Sequence, residues 1–311
     1  MRRVIWRFCW ISILVFAFLA WVLWTNATVM METIPIVSSR IPPAFSGYRI
    51  VQVSDLHNAV FGKENRQLID LLAKADPDCI VLTGDLVDCH HTNIEAALDF
   101  VKNASRIAPM YYVSGNHEAY LDLASDQYQL LKAGLKQYGV TILENEAIAL
   151  SNSQSASFDQ AALNPENSSD VCDQVLLIGL SDPGFIRNRS NASNGLSNGQ
   201  IIQSALDSLA IPETSYSIVL AHHPELFETY VENQMDLVLS GHAHGGQFRL
   251  PFVGGIYAPN QGFLPQYDAG LYTREQTNMV VSRGIGNSEI PLRFNNQPEI
   301  VLIVLSNPNM N

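Results

Sequence analysis

Basic charge is what this chain has least of: 18 lysines and arginines stand against 30 aspartates and glutamates, a formal net charge of −12. A protein that binds nucleic acid without regard to sequence needs a basic surface to neutralise phosphates, so this balance argues against that class of function. It leaves phosphate chemistry open, because bound divalent cations reverse the field around them. Cysteine is also scarce. Of the four, Cys9 lies in an apolar N-terminal stretch and Cys79 in an apolar strand pattern, with Cys89 and Cys172 isolated beyond them. Neither a disulfide framework nor a cysteine-type zinc site is visible. No repeat of fixed period appears. Charged residues make up 15% of the chain and hydrophobic ones 47%, a composition with room for a sizeable core and an apolar anchor. Past the first two dozen residues, roughly 270 remain, enough for one large or two modest domains.

The one long apolar run is residues 8–24, broken only by Ser12 and preceded by Arg2, Arg3 and Arg7. It reaches the short end of the roughly 17–25 residues that span a bilayer as a helix. Basic residues precede it and none follows within residues 25–31, so the positive-inside rule places the N-terminus in the cytoplasm and the rest of the chain outside. A cleaved signal peptide competes, with Thr25-Asn26-Ala27 as a poor cleavage site, and Arg2-Arg3 is a fragment of a twin-arginine signal. The length and three tryptophans (Trp10, Trp21, Trp24) favour a retained anchor over residues 1–31. Residues 32–46, with Pro35, Pro42 and Pro43, read as a linker. Asn26, Asn103, Asn167, Asn188 and Asn191 head glycosylation sequons, relevant only in a host that glycosylates secreted proteins.

From residue 47 onward strands and helices alternate. Strands are expected at 48–53, 79–82, 110–113 and 140–143, with helices at 64–74, 94–102 and 125–138. This is the βαβ pattern of an α/β fold. The second half adds strands at 175–180, 216–221 and 235–239 and helices at 201–209 and 226–233. Strands at 279–282 and 299–305 would close a second sheet. Residues 151–170 and 187–199 are rich in Asn and Ser, aperiodic, and read as surface insertions or mobile loops. The polar clusters fall at the C-terminal ends of strands, where open α/β sheets carry their sites.

Six of the eight histidines sit directly after expected strands: His57, His117, His222, His223, His242 and His244. Asp55, Asp85 and Asn116 occupy equivalent strand ends. Mixed nitrogen and oxygen donors of this kind suit two borderline divalent metals rather than calcium or a thiolate site. His242 and His244 alternate across one residue between glycines, which taken alone would let both rings face one ion.

Asp-x-His (Asp55, His57), Gly-Asp-x-x-Asp (Gly84, Asp85, Asp88), Gly-Asn-His-Glu (115–118), His-His-Pro (222–224) and Gly-His-x-His (241–244) together resemble, in order, the five motifs of the calcineurin-like metallophosphoesterase superfamily. Gly-Gly-Gln after the last motif, with 282–286 and 291–294, is similar to its membrane-anchored bacterial branch. That branch holds phosphodiesterases and enzymes that split UDP-2,3-diacylglucosamine. The resemblance implies a four-layer α/β/β/α sandwich over residues 47–307. Asp55, His57 and His244 would hold one metal, Asn116, His222 and His242 a second, and Asp85 would bridge them. The cofactors would be two divalent ions (Mn, Fe or Zn), able to clamp a phosphoryl oxygen for in-line attack by a shared hydroxide. His117 would face the phosphate as general acid or charge stabiliser, its ring oriented by Asp88.

Blander readings exist for single residues. Asp85 and Asp88 could cap helices, Asn116 could form a turn, and His90 and His91 read as a solvated loop. His223, turned away from His222 by strand alternation, reads as structural. The joint reading is a phosphohydrolase acting on a phosphorylated small molecule or a lipid-linked phosphate or diphosphate. A catalytically silent tethered metal-binding protein and a nuclease of the same superfamily are the alternatives. Phe248, Phe252, Phe263 and Tyr267 would either form an apolar lip at the site or pack the second sheet.

Overall fold

The computed structural model describes residues 2–150, 174–189, 195–287 and 290–310. The expected insertion at 151–170 and the middle of that at 187–199 lie outside them. The chain begins with a helix, α1 (Arg2–Asn26), in which residues 9–26 are apolar enough to cross a membrane and only 11% buried against the rest. A three-residue turn then leads into strand β1 (Met30–Val37).

Two six-stranded sheets lie face to face. The first contains β1, β2 (Arg49–Val53), β3 (Cys79–Thr83), β4 (Met110–Val113), β5 (Thr141–Ile142) and the last strand of the chain, in the order β1, last strand, β2, β3, β4, β5. The second is built from β6 (Glu146–Leu150), β7 (Val175–Gly179), β8 (Tyr216–Leu220), β9 (Leu237–Ser240) and two later strands. Two small hairpins follow β9: β10 (Arg249–Leu250) with β11 (Gly254–Gly255), and β12 (Tyr257–Ala258) with β13 (Gly262–Phe263). Then come β14 (Gly270–Arg274) and β15 (Thr277–Val281) of the second sheet, and β16 (Glu299–Ser306), which is that last strand of the first.

Helices α2 (Arg66–Ala75), α3 (Ile94–Ala104), α4 (Asn116–Ala124) and α5 (Gln127–Gln137) belong to the first half. Leu68 and Leu72, one turn apart on α2, reach the core shared with Val51, Val53 and Phe100. Helices α6 (Gly184–Arg189), α7 (Asn198–Asp207) and α8 (Phe227–Glu232) belong to the second, where Ile202, Leu206 and Phe227 pack with Ile178 and Val238. Between the sheets, Ile50 and Val81 meet Leu177, Ile218 and Leu239. The central strands are therefore buried on both faces, which is why they read as continuous apolar runs rather than alternating ones. The result is the four-layer α/β/β/α sandwich.

Three expectations change. Residues 32–46 are no linker: β1 pairs in parallel with β16 over eight positions, from Met30 with Glu299 to Val37 with Ser306. Pro35, the proline within β1, is compatible because β1 is an edge strand. Strand β16 does not close the second sheet but returns to the first, between β1 and β2. Finally, α4 fills the stretch between the expected strand at 110–113 and the expected helix at 125–138, for which no helix is expected. Its start is secured by the Glu118 carboxylate, which accepts the Gly115 N–H at 2.7 Å, rather than by an apolar stripe.

Candidate metal centre

The loops after β2, β3, β4, β8 and β9 meet at one crest of the sandwich. Asp55, His57, Asp85, His242 and His244 all have φ between 44° and 64°, left-handed values that cost non-glycine residues about 1 kcal/mol or more each. Left-handed backbone at five donor residues that meet at one point indicates that their placement matters more than local comfort. Glycines make the crowding possible. A Cβ on Gly84, itself at φ 91°, would stand 2.8 Å from the Gly115 backbone and 2.5 Å from His222 Nδ1.

The donor atoms form an unbroken chain. Asp55 Oδ1 lies 3.5 Å from His244 Nε2, which faces His57 Nε2 at 3.3 Å. His57 Nε2 is 3.6 Å and His222 Nε2 3.1 Å from the same oxygen, Asp85 Oδ2. Asn116 Oδ1 is 3.2 Å from His222 Nε2, and a donor of His242 groups with Asp85 and His222. All these side chains except Asn116 are buried, at 6% exposure or less. The His222 Nδ1–H donates to the Thr83 carbonyl at 2.8 Å, which turns the Nε2 lone pair into the site.

Charge follows this layout. Burial works against Asp85, yet His222 and His117 hold it well below the usual carboxylate range. Burial likewise opposes protonation of His222, but Asp85 raises it well above the ordinary imidazole value. Burial lowers His57 to about 3, and His242 and His244 well below their ordinary value. Burial also raises Asp55 to about 6. These are opposed proton affinities around one carboxylate oxygen, and a divalent cation would displace the proton on His222. The donor set fits divalent metals of the Mn, Fe and Zn type: His57 Nε2 and His244 Nε2 converge on the space between the two carboxylates, and His57 Nδ1 has no hydrogen-bond partner among the described residues.

His117 stands beside the cluster, Nε2 4.0 Å from Asp85 Oδ2. Asp88, expected to orient the ring, faces it without a hydrogen bond. The Cys89 N–H donates to His117 Nδ1 at 3.0 Å, while Asp88 Oδ2 remains 3.8 Å from that nitrogen and 3.8 Å from His57 Nδ1. Asp88 Oδ1 instead accepts the N–H groups of His90 and His91, both at 2.8 Å. The other oxygen, Oδ2, faces the ring nitrogen without bonding to it and acts on it by charge. In neutral His117 the proton therefore sits on Nε2, toward the cluster. Burial opposes its protonation, but Asp85 pushes the ring up to about 9. His90 and His91 are exposed, as a solvated loop requires.

Several contributors escaped sequence reasoning. Glu118, fully buried, accepts four backbone N–H groups: Gly115 and Asp85 on Oε2, Leu86 and Val87 on Oε1. It ties the β3 loop to the β4 loop. His223 is buried between Asp182 (2.6 Å) and Glu225 (2.9 Å), and its ring packs 4.4 Å from that of His242. Asn260 Nδ2 lies 3.0 Å from His242 Nε2 and donates to Glu225 at 2.8 Å. Arg293, 1% exposed, donates through Nε to Asn287 at 2.9 Å and through its terminal nitrogens to the carbonyls of Arg283 and Gly286, 3.4 Å from His244 Nδ1. Arg293 stands in the stretch 291–294 already singled out. Asn260 and Asp182 carried no signal. The cluster opens into a cavity of 750 Å³ whose further walls include Tyr120, Arg187, Tyr257 and Ile290.

Imidazoles, carboxylates and an amide oxygen converging at the crest of two stacked sheets define a metallophosphoesterase. Residues 48–246 match the family described as calcineurin-like phosphoesterase, and the chain belongs to that family. It is 30% identical over 286 residues to the uncharacterized metallophosphoesterase YkuE of Bacillus subtilis, covering 90% of this chain and 87% of the relative. It is 28% identical over 261 residues to the phosphodiesterase YaeI of Escherichia coli, covering 83% and 82%. A Bos taurus transmembrane protein with metallophosphoesterase domain is 27% identical over 280 residues, covering 88% of this chain and 56% of the relative.

Proposed function

We propose that this protein is a membrane-anchored phosphohydrolase that uses two divalent cations. The observation that carries the reading is Asp85 Oδ2, approached by His57 from one side and His222 from the other. One oxygen so placed supports two donor groups, Asp55, His57 and His244 on one flank and Asn116, His222 and His242 on the other. Bound there, divalent cations supply Lewis-acid stabilisation of phosphoryl charge and an acidified water. His117 holds a proton at Nε2 and offers it, or its charge, to the departing oxygen. Asp88 acts through charge on His57 and His117 and by shaping the 88–91 loop. Phosphodiesters are the favoured test substrates because a relative carries that activity in its name.

The apolar α1 and a relative named as a transmembrane protein support anchoring. The arginines before the helix favour a cytoplasmic N-terminus with the catalytic domain outside. An anchored enzyme is best matched to an envelope or lipid-linked phosphate or diphosphate, because tethering raises the effective concentration at the bilayer. The test uses full-length protein in detergent, reconstituted with Mn²⁺ and given an aryl phosphodiester and an aryl phosphomonoester. Cleavage that disappears in Asp85→Asn and His117→Ala is expected, with metal content retained in His117→Ala. Less than one equivalent of metal together with no cleavage would overturn the reading.

A further inference from the structure

The hairpins that follow the centre display apolar side chains outward. Leu250, Phe252 and Val253 at the β10–β11 tip and Phe263 and Leu264 at the end of β12–β13 are all at least 44% exposed, Phe252 completely so. Phe252 and Leu264 have φ of 66° and 55°, at turns where glycine or asparagine is the ordinary occupant. Tyr267, by contrast, is buried and packs against Phe227. Between Gln247 and Gln266 the only charged residue is Arg249, and it is turned inward onto the Gly245 carbonyl (2.9 Å) and Asp268 (3.0 Å).

This patch is joined to α1. The ring of Phe294 packs against Trp21 (5.9 Å between centroids) and Phe18 (6.0 Å). Phe18 lies two turns before the end of the helix, about 12 Å along its axis at 1.5 Å per residue. The domain thus does not begin where the helix stops; Phe294 stands alongside its last turns. The Arg249 N–H donates to the Phe294 carbonyl at 2.9 Å, so the β10–β11 hairpin starts at that same height. Asn26 holds both backbone groups of Arg293 at 2.8 Å, and β1 follows within a few residues, which ties the end of the helix to the domain.

On the reading of α1 as a membrane anchor, we propose that the tips at 250–253 and 263–264, with Leu292, are seated in the same bilayer leaflet as the end of α1. The helix cannot place Phe18 and Trp21 in the apolar layer without carrying Phe294 and the neighbouring hairpin with them. The cavity wall made by Tyr257 and Ile290 then opens at the height of the headgroups.

Full-length protein is reconstituted in phosphatidylcholine vesicles with benzoylphenylalanine in place of one residue at a time, and crosslinks are read by mass. The positions are Phe252, Phe263, Phe16 on α1, and Leu130 on α5, which is 62% exposed. The expected result is acyl-chain adducts at positions 16, 252 and 263 and none at 130. Adducts at 16 with 252 and 263 matching 130 would overturn the seating while leaving the anchor intact. Crosslinks from 252 or 263 to a second copy of the chain would assign the patch to self-association and overturn it as well. No adduct at position 16 would remove the anchor and the proposal together. None of these readings depends on catalysis, so an absence of phosphoester cleavage leaves them separate.

Discussion

Glu118→Gln isolates the scaffold of the centre from its ligands. The carboxylate receives N–H groups at 2.7 and 3.0 Å on one oxygen and at 2.7 and 3.3 Å on the other. Burial and the charge of Asp85 push its pKa up to about 7, so at pH 8 it is ionised and acts only as an acceptor. Glutamine keeps one oxygen and turns an NH₂ toward two buried N–H groups, leaving both unpaired. At about 1–3 kcal/mol for each buried group left unsatisfied, the substitution costs about 2–6 kcal/mol. With about 2–4 °C per kcal/mol for a chain somewhat smaller than this one, thermal unfolding of the detergent-solubilised protein at pH 8 should fall by about 4–24 °C. Manganese affinity should fall too, since the loops tied together by Glu118 carry Asp85 and Asn116. A variant melting within about 1 kcal/mol of the parent, with metal content unchanged, would refute the view that this carboxylate organises the centre.

Other perturbations give distinct readouts. Chelation should lower the melting temperature, because a cation present at about 1,000 times its Kd stabilises by about 4 kcal/mol; unfolding followed with and without EDTA checks this, and coincident curves would argue against a metal centre. His242→Ala should deplete one cation preferentially, and equal loss of both with the fold intact would contradict the division of ligands proposed above. For Glu299, burial raises the pKa to about 7 although Arg283 opposes the rise; the stabilisation this brings is complete below the unfolded value and is lost as pH rises through about 7. Glu299→Gln should therefore lose less stability than the parent between pH 5 and 8, whereas parallel curves would exclude the assignment. Asn26→Ala removes both bonds to the Arg293 backbone and should cost about 1–3 kcal/mol, read as earlier proteolysis of the joint between helix and domain.

Much of the fold was legible because its evidence is local. A strand buried on both faces, such as Cys79–Thr83, is a short apolar run wherever its neighbours lie. Residues 30–37 were harder: an edge strand carrying a proline looks like a linker, and its partner is some 269 positions away, at Glu299 for Met30. The continuous apolar run of β16 marks a strand buried on both faces but does not say in which sheet it lies. The fate of the aromatic residues after the His-x-His loop was undecidable for the same reason. Tyr267 packs inward and Phe252 and Phe263 point outward, a division made by the hairpins rather than by residue type.

The sequence by itself determined the family, the strand-end positions of the histidines and acids, and an apolar N-terminal helix, since each is a matter of residue type and spacing along the chain. Only the tertiary structure decided which donors meet. It brings one oxygen of Asp85 between His57 and His222, sets the Cys89 N–H against His117 Nδ1, and lays Phe294 along α1. Those relations depend on distances of a few ångströms between segments separated by up to 270 or so residues, and such distances exist only once both sheets are closed and the loops are held between them.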